Sequence, residues 1–227
     1  YAAVDGRLPG QDLPGVLPAL PFLVGNARRQ LDMPSPDDPD VELGGKRVLV
    51  LGGGDTAMDC VRSALRLGAA EVSCAYRRGE ADMPGSRREV KNARDEGVRF
   101  LFNRQPLAIE SGLRVDGGQQ VNGVRVVETR ASGGRGQPAE PVPGSEAVLP
   151  ADVVILAFGF RASPAAWWAD FGLELTPEGR VRTDAAGATS HPKIFAGGDN
   201  VRGADLVVTA VYDGREAGVA ISRRLLA

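Results

Sequence analysis

The fold of this 227-residue chain is decided by the stretch Lys46-Arg47-Val48-Leu49-Val50-Leu51-Gly52-Gly53-Gly54-Asp55-Thr56-Ala57. Its continuous apolar run, Val48–Leu51, is typical of a strand that is covered on both faces. Beyond the glycines, apolar residues recur at helical spacing along one face: Ala57, Val61, Ala64 and Leu65. Gly68 predicts the end of that helix, and Val72–Tyr76 predicts a second strand. The segment is therefore predicted to be a βαβ unit.

The glycine-rich turn between this strand and helix has the pattern G-x-G-x-x-A. Gly52 permits the tight turn, Gly54 allows a pyrophosphate to approach the backbone, and Ala57 keeps the helix and strand close together. The free N–H groups and the positive dipole end of the helix would face the phosphates. A glycine triplet alone predicts only a flexible turn, but its place between a strand and a helix indicates a dinucleotide site. The residues expected to bind the cofactor are Gly52, Gly53, Gly54, Asp55, Thr56 and Ala57.

The end of the second strand indicates which dinucleotide is bound. An NAD site places Asp or Glu there to bind the ribose 2′-hydroxyl, whereas a 2′-phosphate requires positive charge. Here Arg77 and Arg78 follow the strand, and Glu71 lies at its opposite end. Two arginines in isolation are typical of a solvated loop, but at this position they favour NADPH. Arg87 or Arg88, at the start of the next helix, is expected to add a second phosphate contact.

The flanking segments complete an α/β fold. Residues 1–45 are rich in proline and glycine, which predicts a connecting segment with one short helix near Leu20–Leu31. A further helix is expected from Ser86, with Glu89 at the capping-box position, to Gly97.

Further β-structure is predicted between that helix and Gly159. Val98–Phe102 and Val153–Phe158 are predicted strands, and residues 106–149 are predicted to form a hairpin or meander with Gly123–Thr129 as its clearest strand. The Ala131–Gly144 loop is rich in Gly, Pro and Arg and is expected to be mobile. The fold class is a Rossmann-like NAD(P)-binding domain, with a central parallel sheet, helices and a β-meander.

The C-terminal part differs in kind. Lys193–Ala196 is predicted to be a short strand that ends in Gly197-Gly198-Asp199, and a helix is predicted from about Leu206 to Leu225. One strand and one helix need a partner sheet to bury their apolar faces. Asp199 could accept a hydrogen bond from a polyol, although by pattern alone it is a plain turn aspartate.

Composition excludes several classes of function. The formal net charge of −2 gives no field that would attract nucleic acid or a membrane surface, and no apolar stretch is long enough to span a bilayer. Cys60 and Cys74 lie fourteen positions apart, a spacing that fits neither a metal site nor a redox pair, and we expect both to be buried.

His191 is the one histidine of the sequence, and we expect it to have a structural role. Without a targeting pattern the protein is expected to be cytoplasmic, and because it begins at Tyr1 the chain is expected to start inside a longer product.

The sequence resembles the small (beta) chain of bacterial NADPH-dependent glutamate synthase, a flavoprotein of the pyridine nucleotide-disulfide oxidoreductase type, in its C-terminal portion. The segments that carry the resemblance are Val50–Arg62, Cys74–Arg78, Met83–Ala93, Phe102–Pro106, Ala157–Arg161 and Ile194–Thr209. The resemblance implies that residues 46–160 are an NADPH domain, that residues 161–227 are the last piece of a FAD domain, and that 1–45 connect to it. It also implies FAD contacts at Gly198, Asp199, Val208 and Thr209, and it places Gly159 where the chain passes close to the cofactors as it crosses between the domains.

By this resemblance, hydride passes from NADPH to FAD, and electrons then pass through iron–sulfur clusters to a glutamate-forming large chain. The resemblance places the cluster ligands and the first FAD-binding segment upstream of Tyr1, so this chain holds only part of the FAD site and no metal site. No side chain is assigned a catalytic role, because the cofactors carry the chemistry. Two alternatives stay open: a related flavin and iron–sulfur oxidoreductase subunit, or an inactive NADPH-binding fragment. A homo-oligomer also stays open, since the C-terminal elements could pack against a second copy.

Overall fold

The computed structural model describes residues 2–39, 41–113, 117–131 and 139–226. The chain divides into a larger compact unit, Asp5–Gly159, and a smaller one formed by Tyr1–Val4 with Phe160–Ala227. Residues 132–138 of the Ala131–Gly144 loop, for which we predict mobility, lie outside the described residues.

The elements follow one another in a clear order along the chain. They are β1 (Ala2–Ala3), β2 (Val16–Pro18), α1 (Ala19–Gln30), β3 (Arg47–Leu51), α2 (Asp55–Arg66), β4 (Glu71–Ala75), α3 (Arg87–Asp95), β5 (Arg99–Leu101), β6 (Arg104–Leu113), β7 (Gln119–Ala131), β8 (Ala139–Pro141), β9 (Ala147–Pro150), β10 (Val153–Leu156), β11 (Phe160–Arg161), α4 (Trp167–Asp170), α5 (Asp199–Arg202) and α6 (Val207–Leu226).

The larger unit is built on a five-stranded parallel sheet in the order β2-β10-β3-β4-β5. Alternate residues of β3 enter two different cores. Val48 and Val50 pack with α1, α2 and α3, whereas Leu49 and Leu51 pack with the antiparallel strands β6 and β7. The apolar run of β3 is thus buried on both faces, as predicted, and the predicted α/β fold with a central parallel sheet is confirmed.

The antiparallel strands form a second sheet against this one. β7 pairs with β6 along most of its length, and β8 and β9 pair with different parts of β7. This sheet corresponds to the predicted meander. Its residues Val121, Val124 and Val126 are buried against the parallel sheet.

The segment before Lys46 takes more part in the fold than a connecting segment would. Val16–Pro18 forms the edge strand β2, where Leu17 pairs with Ile155, and Phe22 of α1 is buried in the core. The edge of β10 supplies the hydrogen bonds that make this short, proline-containing segment a strand. The compact unit therefore begins near Asp5 and not at the predicted Lys46.

The smaller unit contains the short β1–β11 pair, α4, α5 and the long helix α6. The prediction of a strand at Lys193–Ala196 is wrong, because only Phe195 forms a bridge, to Ala188. A strand needs a neighbouring strand along its length, whereas the described residues give this segment only the bridge between Phe195 and Ala188, flanked by the Thr189–Ile194 and Ala196–Gly187 hydrogen bonds. Helix α6 begins and ends close to its predicted bounds, and Ala217 is its one buried residue among those described. Within the described ranges, no helix combines the length and apolarity needed to cross a membrane.

Candidate dinucleotide site

The turn between β3 and α2 brings two strand ends into close contact. A Cβ at Gly52 would lie 2.2 Å from the carbonyl oxygen of Ala157, just after β10, and the φ angle of Gly52 is +150°. Neither the space nor the backbone suits a side chain here. Gly52 therefore allows the tight turn that sequence analysis predicted.

Gly53 serves packing within the protein. A Cβ on this buried residue would lie 2.5 Å from the Tyr76 ring, so the ring rests directly on the glycine backbone. The Gly53 carbonyl accepts a hydrogen bond of 3.0 Å from the Gly85 N–H. These contacts join the glycine turn to the end of β4 and to the loop before α3.

Gly54 presents the open side of the turn. No described atom lies within 4 Å of a Cβ built on it, and its carbonyl accepts the N–H groups of Ala57 and Met58. The N–H groups of Asp55 and Thr56 lie in the first turn of α2, where an α-helix offers them no internal partner. Ala57 is fully buried and allows α2 to pack closely on the sheet. The open backbone and the helix N-terminus together give this turn the features that an anion site requires.

The Asp55 side chain is engaged by the protein. Its Oδ1 accepts a hydrogen bond of 2.7 Å from the N–H of Ser86. Ser86 is the N-cap of α3, and its hydroxyl accepts the Glu89 N–H at 3.3 Å, as the capping-box pattern predicts. The first turns of α2 and α3 are thus hydrogen-bonded to each other.

The main chain after β4 is fixed by the antiparallel sheet. The Arg77 carbonyl accepts a 2.6 Å bond from the Thr129 hydroxyl, and the Arg78 carbonyl accepts a 3.0 Å bond from the Asn103 N–H. Thr129 is buried, so its hydrogen bond to the Arg77 carbonyl is shielded from solvent. The segment that carries the arginines therefore has a defined path.

The arginine side chains differ in exposure. Arg77 and Arg87 are exposed and form no ion pair with any described residue, and Arg78 is half-buried. Arg88 is also exposed. Glu71 lies at the start of β4, the end of the strand away from Arg77, and forms an ion pair with Arg99 of the neighbouring strand β5. Arg77 thus places positive charge after the carboxyl end of β4, with no ion-pair partner among the described residues and with the Glu71 carboxylate engaged at the opposite end of that strand.

Three contributors to this site were missed by sequence reasoning: Tyr76, Gly85 and Thr129. Tyr76 lies within the resemblance to the family, but nothing in its spacing indicates that its ring covers Gly53. Gly85 follows a proline, which predicts a turn without indicating what the turn contacts. Thr129 lies 52 positions from its partner Arg77, a separation at which local patterns carry no information.

The smaller unit places Gly198 and Asp199 at an open cavity of about 530 Å³. Its other lining residues come from the same turn, from the segment before α6 and from the start of α6: Gly197, Asn200, Asp205, Val207, Ala210 and Val211. Val208 and Thr209, predicted as cofactor contacts, lie on the same turn of α6 but do not line this cavity. Gly159 ends the larger unit.

Asp213 of α6 holds the Gly197–Asp199 turn. Its carboxylate accepts 2.7 Å bonds from Arg202 Nε and Nη2 and a 2.9 Å bond from the Gly198 N–H. These donors, with Arg202 the strongest, lower the pKa of Asp213 to about 2. Sequence reasoning did not single out this residue, whose partners lie 11 and 15 positions away.

The remaining reactive side chains have structural surroundings. Burial raises the pKa of the Cys60 and Cys74 thiols to about 12, and the Cys74 thiol donates to the Gly52 carbonyl. His191 Nδ1 accepts the Lys193 N–H, and its ring meets the Phe171 ring edge-on. Among the described residues, no group of three or more His, Cys, Asp or Glu side chains is arranged to hold a metal ion.

The comparison with known families agrees with this geometry. Residues 7–214 match the family described as pyridine nucleotide-disulphide oxidoreductase. The chain belongs to this family. The fold is also similar to that of T. acidophilum thioredoxin reductase, with a TM-score of 0.71 at 19% identity over 99% of this chain and 63% of that chain.

Two relatives confirm the resemblance inferred from the sequence. The glutamate synthase [NADPH] small chain of Halomonas elongata is 55% identical over 229 residues, which cover 97% of this chain and 47% of that protein. The protein of the same name in Escherichia coli strain K12 is 53% identical over 227 residues, covering 96% and 47%. The chain thus spans about half the length of these relatives.

Proposed function

We propose that the larger unit binds NADPH as the electron donor of a flavoprotein oxidoreductase. The observation that carries this proposal is the pairing of an open helix N-terminus at Gly54 with Arg77, an exposed arginine without a counter-ion among the described residues. The first is suited to a pyrophosphate and the second to a 2′-phosphate. Both lie in one compact unit.

Each residue has a distinct task in this proposal. Gly54 leaves room for the phosphates, and the N–H groups of Asp55 and Thr56 donate to them. Arg77 and Arg87 attract the 2′-phosphate, while Thr129 fixes the main chain that carries Arg77. Gly52, Gly53 and Ala57 act indirectly, because they let strand, ring and helix approach closely enough to form the turn.

In the smaller unit, we infer that the cavity at Gly198 and Asp199 would hold part of a flavin. Asp199 would accept from a polyol hydroxyl, and the start of α6 at Val208 would direct the positive end of the helix dipole toward negative charge, while the Thr209 N–H donates to the Leu206 carbonyl. When bound, NADPH supplies a hydride and FAD accepts it. The protein places and orients these groups, and we assign no acid or base among its side chains.

The names of the two relatives support a more specific proposal for the whole protein. We infer that it is the small chain of an NADPH-dependent glutamate synthase, which would pass electrons through iron–sulfur clusters to a large chain that forms glutamate. The identity of 53–55% over nearly all of this chain is the support for this assignment. The cluster ligands and the rest of the FAD site would belong to the half of the relatives that this chain does not match.

The nucleotide assignment is tested by titration calorimetry with NADPH and NADH. Arg77→Gln and Arg87→Gln should each raise the Kd for NADPH at least about tenfold, because each removes a charge-assisted hydrogen bond to phosphate, and should leave the Kd for NADH nearly unchanged. Arg99→Gln is the matched control: this exposed arginine pairs with Glu71 at the opposite end of the sheet and should affect neither nucleotide. An equal loss of affinity for both nucleotides in the Arg77 and Arg87 variants would refute the assignment.

A further inference from the structure

Three hydrogen bonds hold the loop between β4 and α3 beside the glycine turn: two are made directly to the turn, and one is made to Tyr76, whose ring packs on Gly53. The Tyr76 hydroxyl donates to the Asp82 carbonyl at 2.9 Å, and the Gly85 N–H donates to the Gly53 carbonyl at 3.0 Å. The third bond, of 2.7 Å, joins the Ser86 N–H to the Asp55 carboxylate. Residues 79–86, which we call the wall loop, therefore have a fixed position beside the turn.

The third bond differs from the others because it joins the starts of two helices. Asp55 is the first residue of α2, and Ser86 is the N-cap of α3, 31 positions along the chain. Arg87 follows Ser86 directly. The first turn of α3, which carries Arg87, is therefore held to the start of α2 by this side-chain contact, next to the backbone bond from Gly85 to Gly53.

A direct role in binding phosphate would suit the side chain of Asp55 poorly, although its N–H group faces the proposed phosphate site. A carboxylate repels phosphate, and this one lies in the first turn of the helix whose N–H groups form the anion site. Its Oδ1 instead accepts the Ser86 N–H, and it forms no ion pair with a described residue. The hydrogen bond to Ser86 gives the Asp55 carboxylate a structural use at a position next to the proposed phosphate site.

We propose that Asp55 is a positioning residue for nucleotide specificity: it holds the start of α3 so that Arg87 meets the 2′-phosphate, and it thereby raises the preference for NADPH over NADH. This inference rests on the proposed nucleotide function. It assigns Asp55 a role that is distinct from the direct cofactor contact expected from the glycine motif.

The body of α3 is held independently of Asp55. Val90 and Ala93 are buried in the core, and Arg62 of α2 forms ion pairs with Glu89 and Glu96. Loss of the Asp55 contact should therefore release the first turn of α3 and leave the rest of the helix in place. The variants needed for a test should fold.

The test compares Asp55→Ala and Asp55→Asn by calorimetric titration with NADPH and NADH, with circular dichroism to verify folding. Asp55→Ala should raise the Kd for NADPH about threefold to tenfold and change the Kd for NADH less than about twofold. Asp55→Asn retains an oxygen that can accept the Ser86 N–H, so the ratio of the two Kd values should stay near that of the wild type. Asp95→Ala removes an exposed aspartate near the other end of α3 and is the control, with both Kd values unchanged.

A second background separates positioning from direct contact. When Arg87 is already replaced by Gln, Asp55→Ala should no longer change the NADPH-to-NADH ratio, because the residue that it positions is gone. Equal losses for both nucleotides in Asp55→Ala, or an unchanged ratio, would overturn the inference while leaving the nucleotide function intact. A wild-type chain that binds neither nucleotide would overturn both.

Discussion

Gly52 and Gly54 are expected to respond in opposite ways to replacement by alanine. An added Cβ at Gly52 would lie 2.2 Å from the Ala157 carbonyl oxygen and 2.9 Å from its carbonyl carbon, at a backbone φ of +150°. At Gly54 no described atom lies within 4 Å of the added carbon, and the φ angle of −89° suits any residue. Gly52→Ala is therefore expected to lower the stability of the fold, and Gly54→Ala is expected to weaken the binding of a ligand on the open side of the turn.

The magnitudes follow from these contacts. A residue with a side chain in the Gly52 conformation costs about 1–3 kcal/mol, and displacement of the buried strand end at Ala157 adds to this, which gives a loss of about 2–4 kcal/mol in the free energy of unfolding. For a unit of this size, 1 kcal/mol lowers Tm by about 2–4 °C, so Gly52→Ala should lower it by roughly 4–16 °C. Gly54→Ala exchanges one N-cap residue for a poorer one and should cost at most about 1 kcal/mol.

Thermal unfolding followed by circular dichroism, together with calorimetric titration of NADPH, distinguishes the two effects. Gly54→Ala should unfold near the wild-type temperature and bind NADPH at least about tenfold more weakly, because its methyl group occupies the space of a phosphate oxygen. Wild-type thermal stability of Gly52→Ala would refute the close approach of β3 and β10. Wild-type NADPH affinity of Gly54→Ala would refute the turn as the phosphate site.

Other measurements test separate parts of the molecule. The Cys60 and Cys74 thiols, whose pKa burial raises to about 12, should react with a chromogenic disulfide at pH 8 only after denaturation; prompt reaction of the native protein would contradict their burial. Ser86→Ala removes the α3 cap and should lower the free energy of unfolding in urea by about 1 kcal/mol; an unchanged midpoint and slope would rule out the cap. The pKa of Asp213, about 2 in the folded protein against an ordinary 3.8, lies below that of the unfolded chain, so its contribution to stability is complete above about pH 4 and is lost as the pH falls toward 2. Both tryptophans lie in the same unit as Asp213, so their fluorescence reports the unfolding of that unit. The Asp213→Asn variant should be less stable than wild type at pH 7, and its stability should change less between pH 4 and pH 2. Identical acid-unfolding curves for the two proteins would contradict the lowered pKa of Asp213.

The parts of the fold with local causes were predictable from sequence. The run Val48–Leu51 is apolar without alternation, which predicts a strand buried on both faces, and both faces are buried. Ser86 and Glu89 predict the start of a helix, and α3 begins there. In both cases the deciding residues are neighbours in the chain. The glycine turn belongs to this class as well, since its place between strand and helix is a local property.

Features that depend on distant partners were not predictable. Val16–Pro18 is a strand because β10 lies beside it, although its own sequence indicates a loop. The segment Lys193–Ala196, which we predict to be a strand, forms only the bridge at Phe195. The Asp55–Ser86 contact likewise joins two residues that are individually typical of helix starts, and only the arrangement of α2 and α3 brings them together.

The strand order has a consequence for how the protein is made. β10 lies between β2 and β3, yet it leaves the ribosome about 100 residues after β3, at a rate of about 5–20 residues per second, so the gap stays open for roughly 5–20 s. During that time the nascent chain can pair β3, β4 and β5, but the β10-facing edges of both β2 and β3 lack their native neighbour. Completion of the sheet therefore waits for the insertion of β10 between β2 and β3, and a nascent chain stalled before Val153 would expose two unpaired strand edges that can pair with other chains.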